Sequence, residues 1–462
     1  MRRPSTVNLN ATSVGIINSI TRTEGGYLAG APLAENTTQS IRQVGQFINA
    51  TQERQNQFLS ALVNRIALVI ISSKFYSNPW AFAKKGIIED GETVEEIFNA
   101  IIDAEQYVPD NGTQTTQEIL EAEFKVRKPN VLAAYHVMNY QKMYPVSVSY
   151  EQMKAAFVTR TALTNLISRI VGTIYSSANY DEFLALKYVL YRLALDGTLP
   201  VVNVPAPTKD NADDIMINIK YVSDEMTFMK KSYNIARVET YTDKENQMLI
   251  FSTKSSSTID VAALASAYNL DKIEFAGRQI LMDSFTQDEV DRLNVLFADD
   301  PTYEPLTVTD ISNIDNIVCF LIDKDMPMLI DNLNMTTYTY LASKMRWTYF
   351  YHKWLTLSAS PFKNCVCFVS GTNEVTGITL NPPTATVNKG STVQFIANVQ
   401  ATGIADTSVT WEISGDGIAS TIDQNGLVTI GAGETAQSLT VTATSNAYPD
   451  VSGDATITVS GN

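Results

Sequence analysis

Two histidines and a close pair of cysteines are the residues best suited to chemistry in this sequence. His136 and His352 are its only histidines, and neither has acidic residues spaced around it as a metal site would require. Cys365 and Cys367 lie two positions apart, but no second pair of metal ligands accompanies them. We therefore expect His352 to be packed or hydrogen-bonded within the fold, and both cysteines to be buried.

Motifs of enzymes and cofactor sites are missing from the sequence. It contains no G-x-x-x-x-G-K-[ST], H-E-x-x-H or G-x-S-x-G pattern. The paired acids of "IDKDMPMLID" have no second element that would complete a metal site. The sequence predicts a protein without catalytic residues, cofactor or metal.

Composition narrows the class of protein further. The chain has 462 residues and a net charge of −15, which argues against a general binder of nucleic-acid phosphates. The opening "MRRPSTVNLN" has no apolar segment behind its arginines, so we expect no signal peptide. The apolar run "IALVII" is too short to span a bilayer. Three cysteines fit a protein that folds in a reducing cytoplasm without disulfides.

The charge distribution divides the chain near residue 373. Residues 374–462 contain eight acidic side chains and one basic side chain, a net charge of −7, which leaves −8 for the preceding 373 residues. Such a shift in composition marks a domain boundary. We expect "SGTNEVTG", Ser370 to Gly377, to be the linker.

The C-terminal segment has the period-2 pattern of β-strands. Apolar and polar residues alternate in "TVQFIANV", "SVTWEI", "SLTVTA" and "ATITV", and "DQNG" reads as a turn. Short strands at this spacing predict a two-sheet sandwich. The predicted core residues are Phe395, Trp411, Leu427 and Val441. Together with "IDQNGLVTI" and "LTVTATS", these strands resemble the bacterial Ig-like group 2 domain. Two roles are open for it: binding a surface glycan, or stabilising and spacing.

The first 373 residues are predicted to be α+β. Residues 2–56 look like an extended polar arm. A helix is predicted from about Tyr150 to Ala178, and a second helix then ends at Gly197. Residues 201–334 alternate helical runs with strands such as "QMLIFST" and "NIVCFLID". The aromatic strands "MRWTYFYHKWLTLSAS" and "NCVCFVSG" close the region.

Between residues 74 and 129 lies a charged segment that is too poor in apolar residues to build a core. We expect this segment to pack against another part of this chain or against a neighbouring chain. Lys84 and Lys85 stand at its presumed tip, so one hypothesis gives the segment inter-subunit contacts, and the alternative is a solvated loop. The residues named for these contacts are Lys84, Lys85, Glu89, Asp90, Glu92, Glu95 and Glu96.

The whole chain resembles the major capsid proteins of phi29-like short-tailed phages. The resemblance runs in order through "FLSALVNRIALVII", "AKKGII", "GETVEEIF", "PNVLAAYH", "MKAAFV", "GTIYSSANYDEF", "LIDKDMPMLIDNL", "YFYHKWLTLSASPF" and "FVSG". It continues into the Ig-like segment and departs from the family at "YVPDNGTQTTQEI".

The resemblance implies an HK97-like tailed-phage capsid fold with a C-terminal all-β Ig-like sandwich. The implied parts are an N-terminal arm (1–55), a capsid core (56–373) and the Ig-like domain (374–462). Within the core, the extended loop would be 72–130, the peripheral domain 131–200 with 341–373, and the axial domain 201–340.

The resemblance also implies a function and partners. The chain would be the structural subunit of a phage head shell, with the Ig-like domain as an outer protrusion. Its partners would be copies of itself in hexameric and pentameric capsomers, a scaffolding protein, the portal or connector, and packaged double-stranded DNA held non-specifically. The Ig-like domain could add a weak host-surface contact. The chain would belong to the virion capsid after assembly in the host cytoplasm.

Two other classes of protein were weighed against this interpretation. A bacterial cell-surface or secreted adhesive protein should carry an export signal and a repeat array. A phage tail or fibre enzyme should carry a carboxylate pair on a repetitive β scaffold. The sequence shows neither set of features.

Overall fold

The structure of the protein is a computed structural model. It describes residues 13–23, 26–35, 37–58, 61, 76, 78–88, 93–102, 104, 131–152, 160–259, 279–415 and 419–460. The chain divides into two compact units, which are treated separately below. The first contains Met1–Thr93, Val137–Leu186 and Leu329–Leu357, and the second contains Val94–His136, Lys187–Met328 and Ser358–Asn462.

The helices and strands are numbered along the described residues. The helices are α1 Ser13–Thr23, α2 Thr38–Ile48, α3 Arg160–Leu195, α4 Ala212–Glu225, α5 Thr253–Ser256, α6 Gln287–Leu296 and α7 Val308–Ile314. Single 3-10 turns occur at Gly26–Leu28, Pro79–Ala83, Lys244–Asn246 and Ala342–Lys344. The strands that precede the Ig-like segment are β1 Lys84–Ile87, β2 Thr93–Asn99, β3 Val131–Val137, β4 Tyr140–Ser149, β5 Val201–Val204, β6 Gln247–Ser252, β7 Gln279–Met282, β8 Ile317–Asp323, β9 Pro327–Leu341, β10 Arg346–Ala359 and β11 Cys365–Ser370.

The first unit is built on a four-stranded sheet in the order β1-β9-β10-β4. Strands β10 and β4 pair antiparallel over ten residues, from Arg346 opposite Ser149 to Leu355 opposite Tyr140. Helices α1 and α2 contribute apolar side chains to the same core as this sheet. The buried members from these elements are Ile17, Ile20, Val44, Ile48, Val148, Trp347 and Tyr349.

The prediction of an extended polar arm is therefore wrong for residues 13–23 and 38–48. Ile17 and Ile20 lie one helical turn apart and are fully buried. Ile41, Val44 and Ile48 repeat the same spacing on α2, which is capped by the Thr37 hydroxyl accepting from the Ser40 N–H at 3.2 Å. A few isoleucines at helical spacing thus outweigh the polar composition of this segment.

Helix α3 corrects a second prediction, because one helix of 36 residues replaces the two that were expected. Asn179, at the expected break, donates its side-chain amide to the Tyr76 carbonyl at 3.1 Å and so does not compete for the helix backbone. The predicted end at Gly197 is confirmed. Gly197 has φ +65, and the N–H groups of Gly197 and Thr198 close a Schellman motif on Ala194 and Leu193.

The second unit contains a five-stranded sheet in the order β5-β11-β8-β6-β7. The predicted strands "QMLIFST" and "NIVCFLID" are confirmed as β6 and β8, and "NCVCFVSG" is confirmed as β11. Helix α4 covers this sheet with Ile215, Ile219 and Val222, which share one face and are buried. The predicted helix "IDVAALASAYNL" lies almost entirely outside the described residues.

Strands β2 and β3 form a separate two-stranded ribbon in the second unit. Its inner face packs on the same unit: the Phe98 ring stacks on Phe362 with centroids 5.5 Å apart, and His136 is buried. Two strands alone do not make a stable sheet in water. The ribbon therefore depends on what packs against its two faces.

The Ig-like segment forms three small sheets around one core in the second unit. Its strands are β12 Glu374–Asn381, β13 Thr384–Asn388, β14 Thr392–Gln394, β15 Ile396–Thr402, β16 Val409–Ser414, β17 Thr421–Ile422, β18 Leu427–Thr429, β19 Ser438–Ser445 and β20 Ser452–Ser460. They pair as β12-β15, β13-β20-β19-β16 and β14-β18-β17. The predicted linker Ser370–Gly377 is shorter than expected, because Ser370 ends β11 and Glu374 already begins β12.

Candidate assembly interface

Lys84 and Lys85 lie on β1, an edge strand of the four-stranded sheet, and not at the tip of a loop as predicted. Strand β1 runs parallel to β9, with Lys84 opposite Leu329. The Lys84 ammonium lies 3.1 Å from Oε1 of Glu182, and about a third of the Lys84 side chain is exposed. Lys84 is thus bound to a carboxylate of its own chain.

Glu182 is the centre of a buried polar cluster that sequence reasoning missed. Its side chain has no exposed surface, and it also accepts from Lys353, which is 3% exposed, and from the Asn78 side-chain amide. A buried carboxylate needs such partners, because leaving a charge unpaired in the interior is costly. The four residues come from distant parts of the sequence, so no local pattern could have shown the cluster.

The predicted acidic contact residues divide into two groups. Glu89, Asp90 and Glu92 lie outside the described residues. Glu95 and Glu96 lie on β2, where the alternation of the strand places them on opposite faces. Glu95, on the outer face, accepts a hydrogen bond from the Tyr135 hydroxyl at 3.1 Å, which raises the pKa of Tyr135.

The outer face of the β2–β3 ribbon also carries large apolar side chains. Ile97 is 57% exposed and Tyr135 is 65% exposed, and Val131 shares their face. Exposed apolar side chains are common singly, but a cluster of them marks an interaction surface. Ile97, Val131 and Tyr135 are called the ribbon patch below.

His136 fixes the inner face of the ribbon, a role that the sequence did not suggest. It is 3% exposed, its Nδ1 lies 2.7 Å from the Ser358 hydroxyl, and its Nε2 lies 3.3 Å from Oε2 of Glu96. Glu96 also accepts from the Ser360 hydroxyl at 2.8 Å. Glu96 was not recognisable as a neighbour of His136 because the two residues are 40 positions apart in the sequence.

The predictions for the other candidate residues are confirmed. His352 is hydrogen-bonded, with Nε2 2.8 Å from the Thr337 hydroxyl. Cys365 and Cys367 are fully buried in β11, and burial raises the pKa of both thiols. In the part of the chain that the structure describes, no group of three or more His, Cys, Asp or Glu could hold a metal ion. No helix among the described residues is long and apolar enough to cross a membrane.

Three of the four predicted Ig-like core residues lie in or against the core. Phe395 and Val441 are fully buried, and Trp411 is half-buried and packs on the same cluster. The prediction that Leu427 is a core residue is wrong, because its side chain is 36% exposed while the neighbouring Val428 is fully buried. Strand β18 follows the Asn-Gly turn, and its alternation places Val428 and Ile430 inside, one position away from the expected register.

An α+β core, a ribbon with an open apolar face and an appended β-sandwich together define a subunit that assembles with others. A family profile described as "Phi29-like phage major capsid protein" matches residues 17–369, and one described as "Bacterial Ig-like domain (group 2)" matches residues 374–459. The chain belongs to the phi29-like family of phage major capsid proteins.

Individual relatives agree with this family. The chain is 30% identical to the major capsid protein of Bacillus phage B103 over 439 residues, covering 94% of this chain and 90% of the relative. It is 30% identical over 438 residues to the major capsid protein of Bacillus phage PZA, with the same two coverages.

Solved structures with a similar chain include two phage capsids. The capsid of Staphylococcus phage Andhra has a TM-score of 0.48 at 13% identity, covering 65% of this chain and 86% of that chain. The capsid of cyanophage P-SCSP1u has a TM-score of 0.40 at 7% identity, covering 65% and 90%.

The predicted fold class and function are confirmed. The chain has an α+β core of the phi29-like major capsid protein family followed by an all-β Ig-like domain, and it is a structural subunit of the phage head shell. The adhesive-protein alternative is not favoured. The capsid family is not an enzyme family, and its members are components of the virion.

Proposed function

We propose that this subunit forms hexameric and pentameric capsomers in which the ribbon patch packs on a second copy of the chain. The observation that carries this proposal is the two-faced ribbon. Its inner face is satisfied by Phe362, Ser358 and Ser360, while Ile97 and Tyr135 stay more than half exposed on the outer face. Burying such side chains is favourable at about 25 cal/mol per Å² of apolar surface.

We assign the polar part of the inter-subunit contact to charged residues between Lys84 and Glu96. We assign inter-subunit contacts to Lys85, with Glu89, Asp90, Glu92 and Glu95 as acidic counterparts across the capsomer. Lys84 and Glu96 are included with them, although both also bond within the chain. Exposed ion pairs contribute only about 0.2–1 kcal/mol each, so the charges favour correct pairing more than they add strength.

The parts of the subunit keep the roles that the family resemblance suggests. Residues 1–55 act as an N-terminal arm whose helices α1 and α2 pack in the core of the first unit, and residues 72–130 act as the extended loop. The resemblance assigns 131–200 with 341–373 to the peripheral domain and 201–340 to the axial domain, but β11 pairs with β5 and β8, so we assign residues 365–370 to the axial domain. The Ig-like domain, 374–462, projects from the outer surface of the shell and could make a weak contact with the host surface.

The other proposed partners are those that a phage head needs for assembly and DNA packaging. The subunit assembles in the host cytoplasm on a scaffolding protein, leaves one position to the portal, and encloses double-stranded DNA. Its net charge of −15 suits a container that does not grip phosphates. We assign it no catalytic activity, cofactor or metal.

Co-expression of the full-length chain with a scaffolding protein from the same phage tests the proposal. We expect closed shells that sediment far ahead of the free subunit and appear as heads in electron micrographs. A subunit that stays monomeric under every co-expression condition, while remaining folded by circular dichroism, would refute it.

A further inference from the structure

We propose that the Ig-like domain also acts as a clamp within its own subunit. Its loop 404–408 is fixed to the C-terminal end of α3 and to Arg237 beside the five-stranded sheet. The domain thereby stabilises the core that carries it, in addition to projecting from it. All of these residues belong to the second compact unit.

The first contact is a close approach of two backbones at Gly197. The Thr407 N–H donates to the Gly197 carbonyl at 2.8 Å, and the Thr407 hydroxyl lies 3.1 Å from the same oxygen. A Cβ atom at Gly197 would lie 2.5 Å from the Ala405 carbonyl oxygen and 2.7 Å from the Thr407 side chain. The absence of a side chain at Gly197 therefore permits both the C-terminal cap of α3 and the close approach of loop 404–408.

The second contact is an ion pair in which the carboxylate is buried and the guanidinium is partly exposed. Asp406 is 3% exposed and accepts from the Arg237 guanidinium, which also donates to the Ser408 hydroxyl at 2.8 Å. A second Arg237 nitrogen donates to the Ser232 carbonyl at 2.8 Å. Breaking a buried pair is strongly unfavourable, because it leaves one charge without its partner.

Arg237 has a backbone conformation that few residues adopt. Its φ is +51, in the left-handed region that costs a side-chain-bearing residue free energy. The chain holds it there while the side chain reaches Asp406 and Ser408. A strained residue that is tied down by several hydrogen bonds is expected where a specific contact is needed.

The third contact lies within the predicted linker, Ser370 to Gly377. Asn373, between β11 and β12, is 5% exposed. Its side-chain amide donates to the carbonyls of Ser370 and Gly371, and its Oδ1 accepts from the Ile404 N–H at 2.8 Å. Its carbonyl accepts from Asn203 and from the Tyr448 hydroxyl. The connection between β11 and β12 is therefore hydrogen-bonded both to the core and to the Ig-like domain.

These contacts predict that the core and the Ig-like domain protect one another from local opening. A matched pair of glycine variants tests this in the full-length chain. Gly197→Ala introduces the clash with loop 404–408, whereas Gly390→Ala has a similar left-handed strain, φ +78, with no atom within 4 Å. Hydrogen–deuterium exchange is measured on peptides from the end of α3 and from loop 404–408.

We expect Gly197→Ala to speed exchange in both peptides together by about tenfold or more, because several buried hydrogen bonds are lost at once. Gly390→Ala should leave both peptides unchanged. If the two variants behave alike, or if only the α3 peptide changes, the clamp is refuted and Gly197 serves its helix cap alone.

A second pair of variants covers the case in which Gly197→Ala does not fold. Asp406→Asn keeps the size of the side chain and removes its charge, and Glu225→Gln removes the charge from a partly exposed pair with Lys230 elsewhere in the same unit. We expect faster exchange around Arg237 and in loop 404–408 for Asp406→Asn only. Equal exchange in the two variants would overturn the clamp. The measurement is made on the subunit, so it stands or falls independently of shell assembly.

Discussion

The Ig-like domain and the β2–β3 ribbon solve the problem of burying apolar surface in opposite ways. The Ig-like domain surrounds Phe395, Leu439, Val441 and other side chains with its own strands, so its core is complete. The ribbon has only two strands, and it leaves Ile97 and Tyr135 mostly in water. The Ig-like core is enclosed by its own strands, whereas the outer face of the ribbon is the surface that we propose a neighbouring subunit covers.

This difference predicts whether a mutation should change the stability of the subunit or the assembly of the shell. A change in a complete core should lower the stability of the subunit and affect the shell only through it. A change on an open face should leave the subunit intact and act on assembly. Variants in each region can separate a loss of subunit stability from a loss of assembly.

Phe395→Ala should produce the largest effect, a loss of about 3–5 kcal/mol in the stability of the Ig-like domain, because it empties a fully buried site. Urea unfolding, followed by the methyl NMR signals of Val441, measures it. Leu427→Ala is the control, since Leu427 is partly exposed and should change stability much less. Equal losses in the two variants would contradict the assigned core.

Ile97→Thr together with Tyr135→Ser should abolish or strongly reduce closed shells, because it removes apolar surface that we assign to the subunit contact. The stability of the free subunit should change by less than about 0.5 kcal/mol, since both side chains are exposed. Shell yield in sucrose gradients and subunit unfolding are measured in parallel. Ile217→Thr, at an equally exposed isoleucine on α4, is the control. Normal shell yield from the double variant would remove the ribbon patch from the interface.

Glu434→Gln should change the pH dependence of the Ig-like domain. The buried carboxylate accepts from the Ser420 hydroxyl and from the backbone N–H groups of Ala436, Ala419 and Thr435, which lower the pKa of Glu434 to about 2. The folded-state pKa is below the ordinary value of 4.5, so its contribution is present above pH 4.5 and is lost as the pH falls towards 2.

Urea unfolding at about pH 3 and about pH 6 checks the Glu434 prediction. The natural chain should lose stability of the Ig-like domain at the lower pH, and Glu434→Gln should be less stable at the higher pH and less sensitive to the change. Glu412→Gln, at an exposed carboxylate of the same domain, serves as the control. A natural chain that loses no stability in this pH window would disprove the assignment.

Lys85→Glu should produce the smallest effect, a weakening of each subunit contact by about 0.2–1 kcal/mol that shrinks at high salt. Lys84→Glu should act differently, because it sets a second carboxylate beside buried Glu182 and should destabilise the subunit itself. Shell yield at low and high salt, together with subunit unfolding, separates the two. If both variants lower only shell yield, then Lys84 belongs to the interface.

The sequence predicted those parts of the fold in which local pattern and tertiary packing agree. Short apolar runs located β6, β8 and β11, an aromatic run located β10, and the Ig-like strands followed from period-2 runs and the Asn-Gly turn. Two predictions failed where the local sequence pattern was ambiguous. Leu427 was placed one position out of register, and α3 was divided at Asn179, whose side chain finds a partner outside the helix.

The candidate site was less predictable because its contacts join distant residues. Lys84 meets Glu182 across 98 positions, Glu96 meets His136 across 40, and Arg237 meets Asp406 across 169. A single sequence carries no record of such pairs. The compositional break near residue 373 located the domain boundary but not its rigidity, which depends on the five hydrogen bonds of Asn373.

The three buried cysteines bear on the durability of the particle. Cys319, Cys365 and Cys367 are all free and lie on the neighbouring strands β8 and β11, and burial raises the pKa of each thiol. Only the thiolate reacts readily with oxidants or other sulfur groups, so these side chains are chemically quiet at neutral pH. While the subunit stays folded, these strands are thus protected from crosslinking and from oxidation of their sulfur atoms.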